Sequence, residues 1–378
     1  MSESGCSKLV DKEQGLRKID ELKEQYSKTK YNKATNKYLG MLRAKIAGIK
    51  REIESQGRKA GTGYAVRKSG NATVALVGFP NAGKSSLLHV LTGVESRVAD
   101  YAFTTLDVIP GMLEYSGAKI QILDLPGLIQ GAHVGKGGSM KIISVIRVAD
   151  LVLFVIDINN YQQLYQLMEE LEMLNIRLNQ KRPNMRLEKG LAGGLNIEGN
   201  GHRIPDKDVV QSILNEFKIF NGEVIFYADT NDQQLLDYVA DNCVYIRGAV
   251  ALNKIDTVDK RKMESVKKEI ETRTGMRVTP ISAKMAGNIE DLKGTVFAGL
   301  ELIRIYLKPR DGEPDFDKPL VLNKGATVVD VVRKINTKLV KNIKYALISG
   351  PSSKFSNQRV GREHKVLDKD VVTVVFDM

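Results

Sequence analysis

The spacing of apolar residues divides the chain into a helical beginning and a longer region in which strands alternate with helices. Between residues 8 and about 59, leucine, isoleucine and alanine recur at helical spacings among lysines and glutamates, and no proline interrupts them. The pattern predicts two helices with a break near residues 27–35. The basic, glycine-rich residues 57–63 predict the end of the second helix and a linker.

From Thr73 onward, apolar runs alternate with helical stretches, which is the arrangement of a parallel sheet covered by helices on both faces. Buried strands are predicted at residues 73–77, 120–124, 151–157 and 248–253. The predicted fold class is therefore α/β, with a mostly parallel sheet in the middle of the chain.

Two regions depart from this alternation. One lies between residue 175 and about residue 228 and combines a basic stretch, a glycine-rich segment, a short helix and an apolar strand. This combination predicts a small α/β insert and not a plain loop. The other follows a turn-rich linker at residues 310–315 and predicts strands at 320–322, 345–348 and 371–376 around a helix at 328–338, a β-grasp-like module. The predicted parts are a basic, helix-turn-helix-like segment (1–70), a nucleotide-binding domain (71–174 and 229–309), the insert (175–228) and the C-terminal module (316–378).

Composition excludes several classes of protein. Of the 378 residues, 42% are hydrophobic and 27% charged, as in globular proteins. The longest apolar run, residues 151–156, is closed by Asp157 and falls far short of the roughly 20 residues that span a bilayer. The N-terminus lacks a signal-peptide pattern, so we expect a soluble, cytoplasmic chain. Two cysteines and four scattered histidines have neither disulfide nor zinc-site spacing.

The net charge of +12 is concentrated at the two ends of the chain. Residues 1–70 contain 17 lysines and arginines against 8 acidic residues, and residues 317–378 contain 12 against 6, which leaves the middle slightly acidic. Basic ends around a nearly neutral core are typical of contact with a polyanion, and RNA is the partner that we favour. The alternative is that the lysines only keep helical surfaces soluble.

A phosphate-binding loop is the strongest chemical signal. Residues 78–85 match G-x-x-x-x-G-K-[ST], directly after a predicted strand and before a predicted helix. In such a loop backbone N–H groups surround phosphate oxygens, Lys84 reaches the β- and γ-phosphates, and the Ser85 hydroxyl can bind Mg²⁺. The residues predicted to contact the nucleotide here are Gly78, Asn81, Ala82, Gly83, Lys84, Ser85 and Ser86.

Two later segments distinguish guanine from adenine. Asn253, Lys254 and Asp256 match N-K-x-D after a predicted strand. The Asp256 carboxylate can accept hydrogen bonds from N1–H and the 2-amino group of guanine, whereas adenine would leave it facing a lone pair. Ser282, Ala283 and Lys284 follow another strand and supply a backbone N–H for the guanine O6. Together the two segments predict a guanine pocket.

The magnesium ion and the γ-phosphate have their own predicted ligands. Asp124 opens a D-x-x-G segment and should hold Mg²⁺ through a water, while the N–H of Gly127 meets the γ-phosphate. Thr105 is the predicted threonine ligand of Mg²⁺, with Thr104 as the alternative. The glycine-dense residues 127–138 should rearrange when the γ-phosphate leaves, which would make the domain a switch.

Hydrolysis should be slow and potassium-dependent. The residue after D-x-x-G is Leu128, and an aliphatic side chain cannot orient the attacking water. The Asn81 side-chain oxygen could instead bind K⁺ beside the β- and γ-phosphates. The alternative is that asparagine is merely tolerated at a variable loop position. The predicted catalytic residues are therefore Lys84, Asn81, Thr105 and Gly127.

With these motifs the chain resembles the Obg-like GTPases, and within them the DRG (developmentally regulated GTP-binding) family. The resemblance rests on residues 78–85, 101–105 and 124–132, although Ala102 stands where many relatives have proline. Residues 325–331, 358–361 and 367–372 resemble a C-terminal TGS module. Membership implies a ribosomal-protein-like insert, association with ribosomes or translation factors, K⁺-assisted hydrolysis and, in some members, an accessory binding protein.

Three functional hypotheses follow from the sequence. The first is a GTP-hydrolysing switch whose basic modules bind ribosomal RNA. The second is an RNA-binding or ribosome-assembly module that uses GTP as a slowly hydrolysed structural ligand, which Leu128 favours. The third, a P-loop kinase or ATPase, is opposed by Asp256. The expected partners are GTP or GDP, the ribosome or its RNA and an accessory regulatory protein, with no membrane; we expect a monomer.

Overall fold

A computed structural model of the chain describes residues 12–29, 35–56, 68–93, 109–125 and 137–377. The helices are α1 (Lys12–Lys28), α2 (Asn36–Gln56), α3 (Lys84–Thr92), α4 (Gly137–Val148), α5 (Gln163–Met173), α6 (Lys207–Glu216), α7 (Asp232–Ala240), α8 (Lys260–Thr274), α9 (Ile289–Gly299) and α10 (Val328–Ile335). The strands are β1 (Ala72–Val77), β2 (Ile109–Tyr115), β3 (Ala118–Asp124), β4 (Leu151–Asp157), β5 (Ile176–Leu178), β6 (Met185–Lys189), β7 (Leu195–Glu198), β8 (Gly222–Phe226), β9 (Val244–Asn253), β10 (Val278–Pro280), β11 (Leu302–Leu307), β12 (Leu320–Asn323), β13 (Ile343–Ser349), β14 (Gln358–Val360) and β15 (Asp370–Phe376).

The chain divides into two compact units. One contains the described residues of Met1–Gly63 together with Gln180–Tyr245, and the other those of Tyr64–Asn179 together with Ile246–Met378. None of the helices in the described ranges combines the length and the apolar character that a membrane span requires.

The larger unit is built on a sheet with the strand order β10-β9-β4-β1-β3-β2, and β5 pairs with β9. Neighbours from β10 to β3 are parallel, and only the β2–β3 pair in this series is antiparallel. Side chains alternate between the two faces of a strand, so the unbroken burial of β1 means that both faces of the sheet are covered. The predicted α/β fold with a mostly parallel sheet is confirmed.

Parallel pairing brings the carboxyl ends of five strands to one edge of the sheet. Leu76 near the end of β1 is paired with Asp124 at the end of β3, and Asp157 at the end of β4 is paired with Asn253 at the end of β9. The predicted phosphate-binding loop follows β1, and Ser282 comes just after β10. The strand order therefore places the phosphate-binding loop, Asp124, Asn253 and Ser282 at the same edge of the sheet.

A second sheet of the larger unit forms the C-terminal module, with the order β12-β11-β15-β13-β14. Val328, Val331 and Val332 of α10 are fully buried and share a core with strand residues such as Ile348. The strands and the helix predicted for this module are confirmed, whereas β11 and β14 were not predicted. Helix α10 ends at Ile335, and a 3₁₀ helix, Thr337–Asn342, follows it.

An ion pair joins β11 to the segment before β15. Arg304 Nη2 lies 2.7 Å from Asp368 Oδ2, and the Arg304 backbone N–H donates to Asp368 Oδ1 at 2.7 Å. Partial burial acts to raise the pKa of Asp368, but the hydrogen bonds and the charge of Arg304 outweigh it, so this pKa lies below its ordinary value. The charged carboxylate therefore stabilises the folded module.

In the smaller unit the N-terminal helices and the insert share one core. Ala44 of α2 is fully buried in a cluster with Val209 and Ile213 of α6 and Leu235 of α7. The three-stranded sheet, in the order β6-β8-β7, contributes Val224 and other residues to the same cluster. Two parts that are remote in sequence thus form one hydrophobic body. The domain limits given above stay a prediction.

Candidate nucleotide-binding site

The loop between β1 and α3 has the backbone geometry of a phosphate cradle. Gly83 has φ of 94°, and Asn81 also lies in the left-handed region, with φ of 64°. A Cβ atom on Gly83 would lie 2.3 Å from Asn253 Nδ2, and one on Gly78 would lie 2.3 Å from the Val155 carbonyl oxygen. Both glycines are therefore required by close packing at the edge of the sheet, and Gly83 also by its backbone conformation.

Lys84 begins α3 and its ammonium group lies against the loop. The side chain is buried, and Nζ donates to the carbonyl oxygens of Gly78 at 2.9 Å and Phe79 at 3.1 Å. Burial lowers the pKa of Lys84, and the nearby charge of Asp124 partly offsets this effect. Together with the amino end of α3, this places positive charge where the motif predicts phosphate.

Ser85 and Asp124 form a pair that fits a divalent cation. Ser85 Oγ donates to Asp124 Oδ2 at 2.7 Å. The other carboxylate oxygen, Oδ1, is buried and has no hydrogen-bond partner within the described ranges. A buried carboxylate oxygen without a donor is costly unless a cation or water pairs with it, and hydroxyl and carboxylate oxygens are the ligands that Mg²⁺ prefers. These two residues therefore fit the predicted magnesium site.

Asn253 joins the phosphate loop to the segment after β10. Its side chain is 2% exposed, and Nδ2 donates to the Ala82 carbonyl at 2.8 Å. Its Oδ1 accepts from the Ala283 N–H at 2.9 Å. The buried Asn253 amide thus pairs with a backbone group of the phosphate loop and with one of the segment after β10. It fixes the distance between the predicted phosphate-binding and guanine-binding segments.

The carboxylate of Asp256 is exposed, and a hydrogen bond from Ser282 fixes its orientation. Ser282 Oγ donates to its Oδ1 at 2.6 Å, and this hydrogen bond is the main cause of the lowered pKa of Asp256. Ser282 is itself buried and held by the bridge that it forms with Gly287. Asp256 is therefore held in its charged form, as an acceptor for the two N–H groups of a guanine edge requires.

The structure brings most of the predicted residues together. The loop residues from Gly78 to Ser86, and also Asp124, Lys254 and Lys284, all lie at the carboxyl edge of the sheet with the residues above. Thr105 and Gly127, together with the alternative Thr104 and with Leu128, lie outside the described residues. Their predicted roles stay predictions.

Sequence reasoning missed Asp157 and Asn159 beside the pocket. Asp157 Oδ2 lies 2.8 Å from Lys254 Nζ, and Asn159 Nδ2 donates to Thr257 Oγ1 at 2.9 Å. The only signal in the sequence is that Asp157 closes a buried strand of a parallel sheet, where polar residues often face a ligand. No motif marks either residue.

Comparison with protein families gives three matches that follow one another along the chain. Residues 73–189 match the 50S ribosome-binding GTPase family, residues 192–302 match the C-terminal region of that domain, and residues 303–376 match the TGS domain. The third match coincides with the C-terminal sheet, so the predicted TGS module is confirmed.

Whole-length relatives are also found. A GTP-binding protein of Methanocaldococcus jannaschii is 43% identical over 369 residues, which cover 96% of this chain and 93% of the relative. Developmentally-regulated GTP-binding protein 1 of Xenopus laevis is 40% identical, and the alignment covers 95% of this chain and 98% of the relative. Developmentally-regulated GTP-binding protein 2 of Homo sapiens is 38% identical, with 95% and 99% covered.

Proposed function

The chain belongs to the family of developmentally-regulated GTP-binding proteins, which are P-loop GTPases, and we propose that it is a guanine-nucleotide switch that acts on ribosomes. The observation that carries the nucleotide part is the double hydrogen bond of Asn253. It connects the phosphate loop at Ala82 to the base-recognition segment at Ala283. A purine nucleotide with its base near Asp256 and its phosphates near Lys84 fits this arrangement.

Guanine selection is assigned to Asp256 and the N–H groups after Ser282. Full-length protein should bind GDP in magnesium buffer in strong preference to ADP. Asp256→Asn should weaken GDP binding, since it removes a charged acceptor from two donors of the base. Asp259→Asn is the matched control: this carboxylate lies three residues further on, and its Oδ1 caps α8 by accepting from the Lys262 N–H at 2.7 Å. Equal GDP affinity in the two variants would contradict the assignment.

Phosphate and metal binding are assigned to the loop, Ser85 and Asp124. Lys84 neutralises charge on the β- and γ-phosphates, and the Gly127 N–H donates to the γ-phosphate. Ser85, Thr105 and Asp124 would hold Mg²⁺, directly or through water. When bound, Mg²⁺ would neutralise negative charge that develops on the phosphates during phosphoryl transfer. Chelation should therefore lower GTP affinity in the wild type and have less effect in Ser85→Ala.

Hydrolysis is proposed to be slow and faster in K⁺ than in Na⁺. Leu128 cannot orient water, and the left-handed Asn81 lies on the loop where its side-chain oxygen could hold K⁺ near the phosphates. The test is single-turnover GTP hydrolysis in matched KCl and NaCl, with the wild type and Asn81→Ala. We expect K⁺ stimulation in the wild type alone. Equal rates in the two salts would remove Asn81 from this role.

Ribosome association is proposed from the basic ends and from the family's description as ribosome-binding GTPases. The test is co-sedimentation with ribosomes, in a GTP analogue and in GDP, at several salt concentrations. Truncation of the N-terminus would strip residues such as Ala44 from the core of the smaller unit, so substitutions are the better probe. Replacing the exposed Arg17 and Lys18 by glutamine should weaken binding and flatten its salt dependence.

Glutamine at Lys267 and Lys268 on α8, in the nearly neutral middle of the chain, provides the control. These substitutions remove the same amount of charge and should leave ribosome binding unchanged. If both pairs of substitutions weaken co-sedimentation equally, the attraction depends on total charge and not on a basic N-terminal surface.

The second candidate is an RNA-binding or ribosome-assembly module with GTP as a structural ligand. Leu128 is the observation that favours it. Ribosomes should accelerate single-turnover hydrolysis by a switch and should leave the rate unchanged for a passive ligand. Four further features are part of the proposed function, whichever candidate holds. They are an accessory regulatory protein, a monomeric chain, a cytoplasmic location and the predicted domain limits.

A further inference from the structure

The carboxyl end of β4 contacts the turn that follows Asn253, and the recognised motifs do not include this contact. Asp157 is the last residue of β4 and the register partner of Asn253 on β9. Directly after Asn253 the chain enters a short turn, in which a 3₁₀ helix, Ile255–Thr257, follows Lys254 and carries Asp256. The placement of the Asp256 carboxylate therefore depends on how this turn is held.

Both ends of the turn are held by the last residue of β4, Asp157, and by Asn159 just after it. At its beginning, Lys254 Nζ lies 2.8 Å from Asp157 Oδ2. At its end, Thr257 Oγ1 accepts from Asn159 Nδ2 at 2.9 Å. Asp157 Oδ1 in turn accepts from the Asn159 N–H at 2.9 Å, which connects the two contacts. Asp256 lies between them.

The turn needs such support because Lys254 has φ of 65° and ψ of 35°, a left-handed conformation that non-glycine residues disfavour. The Asp157 side chain is only 15% exposed, so its ion pair is less screened than one on the open surface. Burial acts to raise the pKa of Asp157, but the hydrogen bond and charge of Lys254 and the hydrogen bonds of Asn159 outweigh it and lower the pKa. The carboxylate is thus charged at neutral pH.

We propose that Asp157 and Asn159 are positioning residues for guanine specificity, which hold the turn of Lys254 to Thr257 so that Asp256 meets the 2-amino group of the base. This inference rests on the proposed function, because it assumes that Asp256 faces a guanine. It adds two residues, from a different strand, to the N-K-x-D segment as determinants of which purine is bound.

The test compares GDP with inosine diphosphate, which lacks the 2-amino group. Binding of both nucleotides to the full-length protein is measured by titration calorimetry, with Asp157→Asn as the first variant. Asparagine keeps the acceptor for the Asn159 N–H and removes the charge that holds Lys254. We expect GDP affinity to fall about tenfold, as for the loss of one charge-assisted hydrogen bond, and inosine diphosphate affinity to fall less. Asn159→Ala should change the ratio in the same direction.

A double-mutant cycle with Lys254→Met tests whether Asp157 holds the turn through its ion pair with Lys254. If Asp157 acts through the lysine, Asp157→Asn should have little further effect in the Lys254→Met background. Asp150→Asn is the matched control, because Asp150 precedes β4 at the opposite edge of the sheet and pairs with Lys68 at the same distance, 2.8 Å. It should leave the ratio of GDP to inosine diphosphate affinity unchanged.

The outcomes separate this inference from the proposed function. If the wild type does not prefer guanine to adenine nucleotides, the proposed function fails. If it does, but Asp157→Asn behaves as Asp150→Asn, the positioning role is wrong. Equal losses for GDP and inosine diphosphate with a lower unfolding temperature would also overturn it, since they indicate a general structural role. Additive losses in the double-mutant cycle would exclude the route through Lys254.

Discussion

Replacement of Asn253 by alanine is the sharpest test of how the site is assembled. The side chain is 2% exposed and makes two buried hydrogen bonds, one to the Ala82 carbonyl and one from the Ala283 N–H. Alanine would leave both backbone groups without their partner. It would also remove the side chain that bridges the phosphate loop and the segment after β10.

The expected cost follows from the two groups. A buried polar group that loses its partner costs about 1–3 kcal/mol, so two groups give about 2–6 kcal/mol before any relaxation or entry of water. Domains are stable by only about 5–15 kcal/mol, so this is a large fraction of the total. The loop at Ala82 would also lose its restraint, and we expect GDP affinity to fall at least about tenfold, equivalent to about 1.4 kcal/mol.

Two measurements test the prediction: thermal unfolding of the nucleotide-free protein, and GDP binding by calorimetry. Asn196→Ala serves as the control, since the Asn196 side chain on β7 donates to the Glu198 and Glu223 carboxylates at the exposed surface. The Asn253→Ala midpoint should lie at least roughly 4 °C below that of the control. A variant that matches the control in both unfolding and GDP affinity would refute the reasoning, because the two buried bonds would then contribute nothing.

Three further predictions concern charge and packing. Lys84→Ala should abolish GDP binding in fluorescence titrations, and retained binding would exclude the phosphate-loop assignment. The pKa of Asp368 in the folded protein lies below its ordinary value of 3.8. The charged carboxylate therefore stabilises the folded state above pH 3.8, and this stabilisation is lost as the pH falls through the lower, folded pKa. Asp368→Asn should flatten the decrease in unfolding midpoint that the wild type shows at acidic pH. Gly117→Val should lower the unfolding midpoint, because φ is 78° and a Cβ would lie 2.3 Å from Pro319 Cγ. Gly193→Val is the control, because Gly193 also has a positive φ but has open space around it. If the clash with Pro319 is destabilising, Gly193→Val should lower the unfolding midpoint less than Gly117→Val.

Several elements were readable from local pattern alone. The strands β1 and β4 are almost unbroken apolar runs, because both faces of the sheet are buried there. In β3, Gln121 interrupts the apolar residues, but Ile120, Ile122 and Leu123 still mark a buried strand. Strand β2 escaped prediction for a physical reason: it is the edge strand next to β3, and it contains Pro110 and Gly111, which are uncommon in central strands. An edge strand of this kind has no strong periodic signal.

The chemistry predicted for the site can be read from contiguous segments, because the residue types of each motif suit phosphate or guanine. Which of these segments touch one another depends on the fold. Asn253 meets Ala82 across 171 positions and Lys254 meets Asp157 across 97, while Ala44 of the N-terminal helices shares a core with the insert. Local periodicity reports neighbours within a turn or a pleat, whereas these contacts depend on strand order and on the return of the chain to the same edge of the sheet.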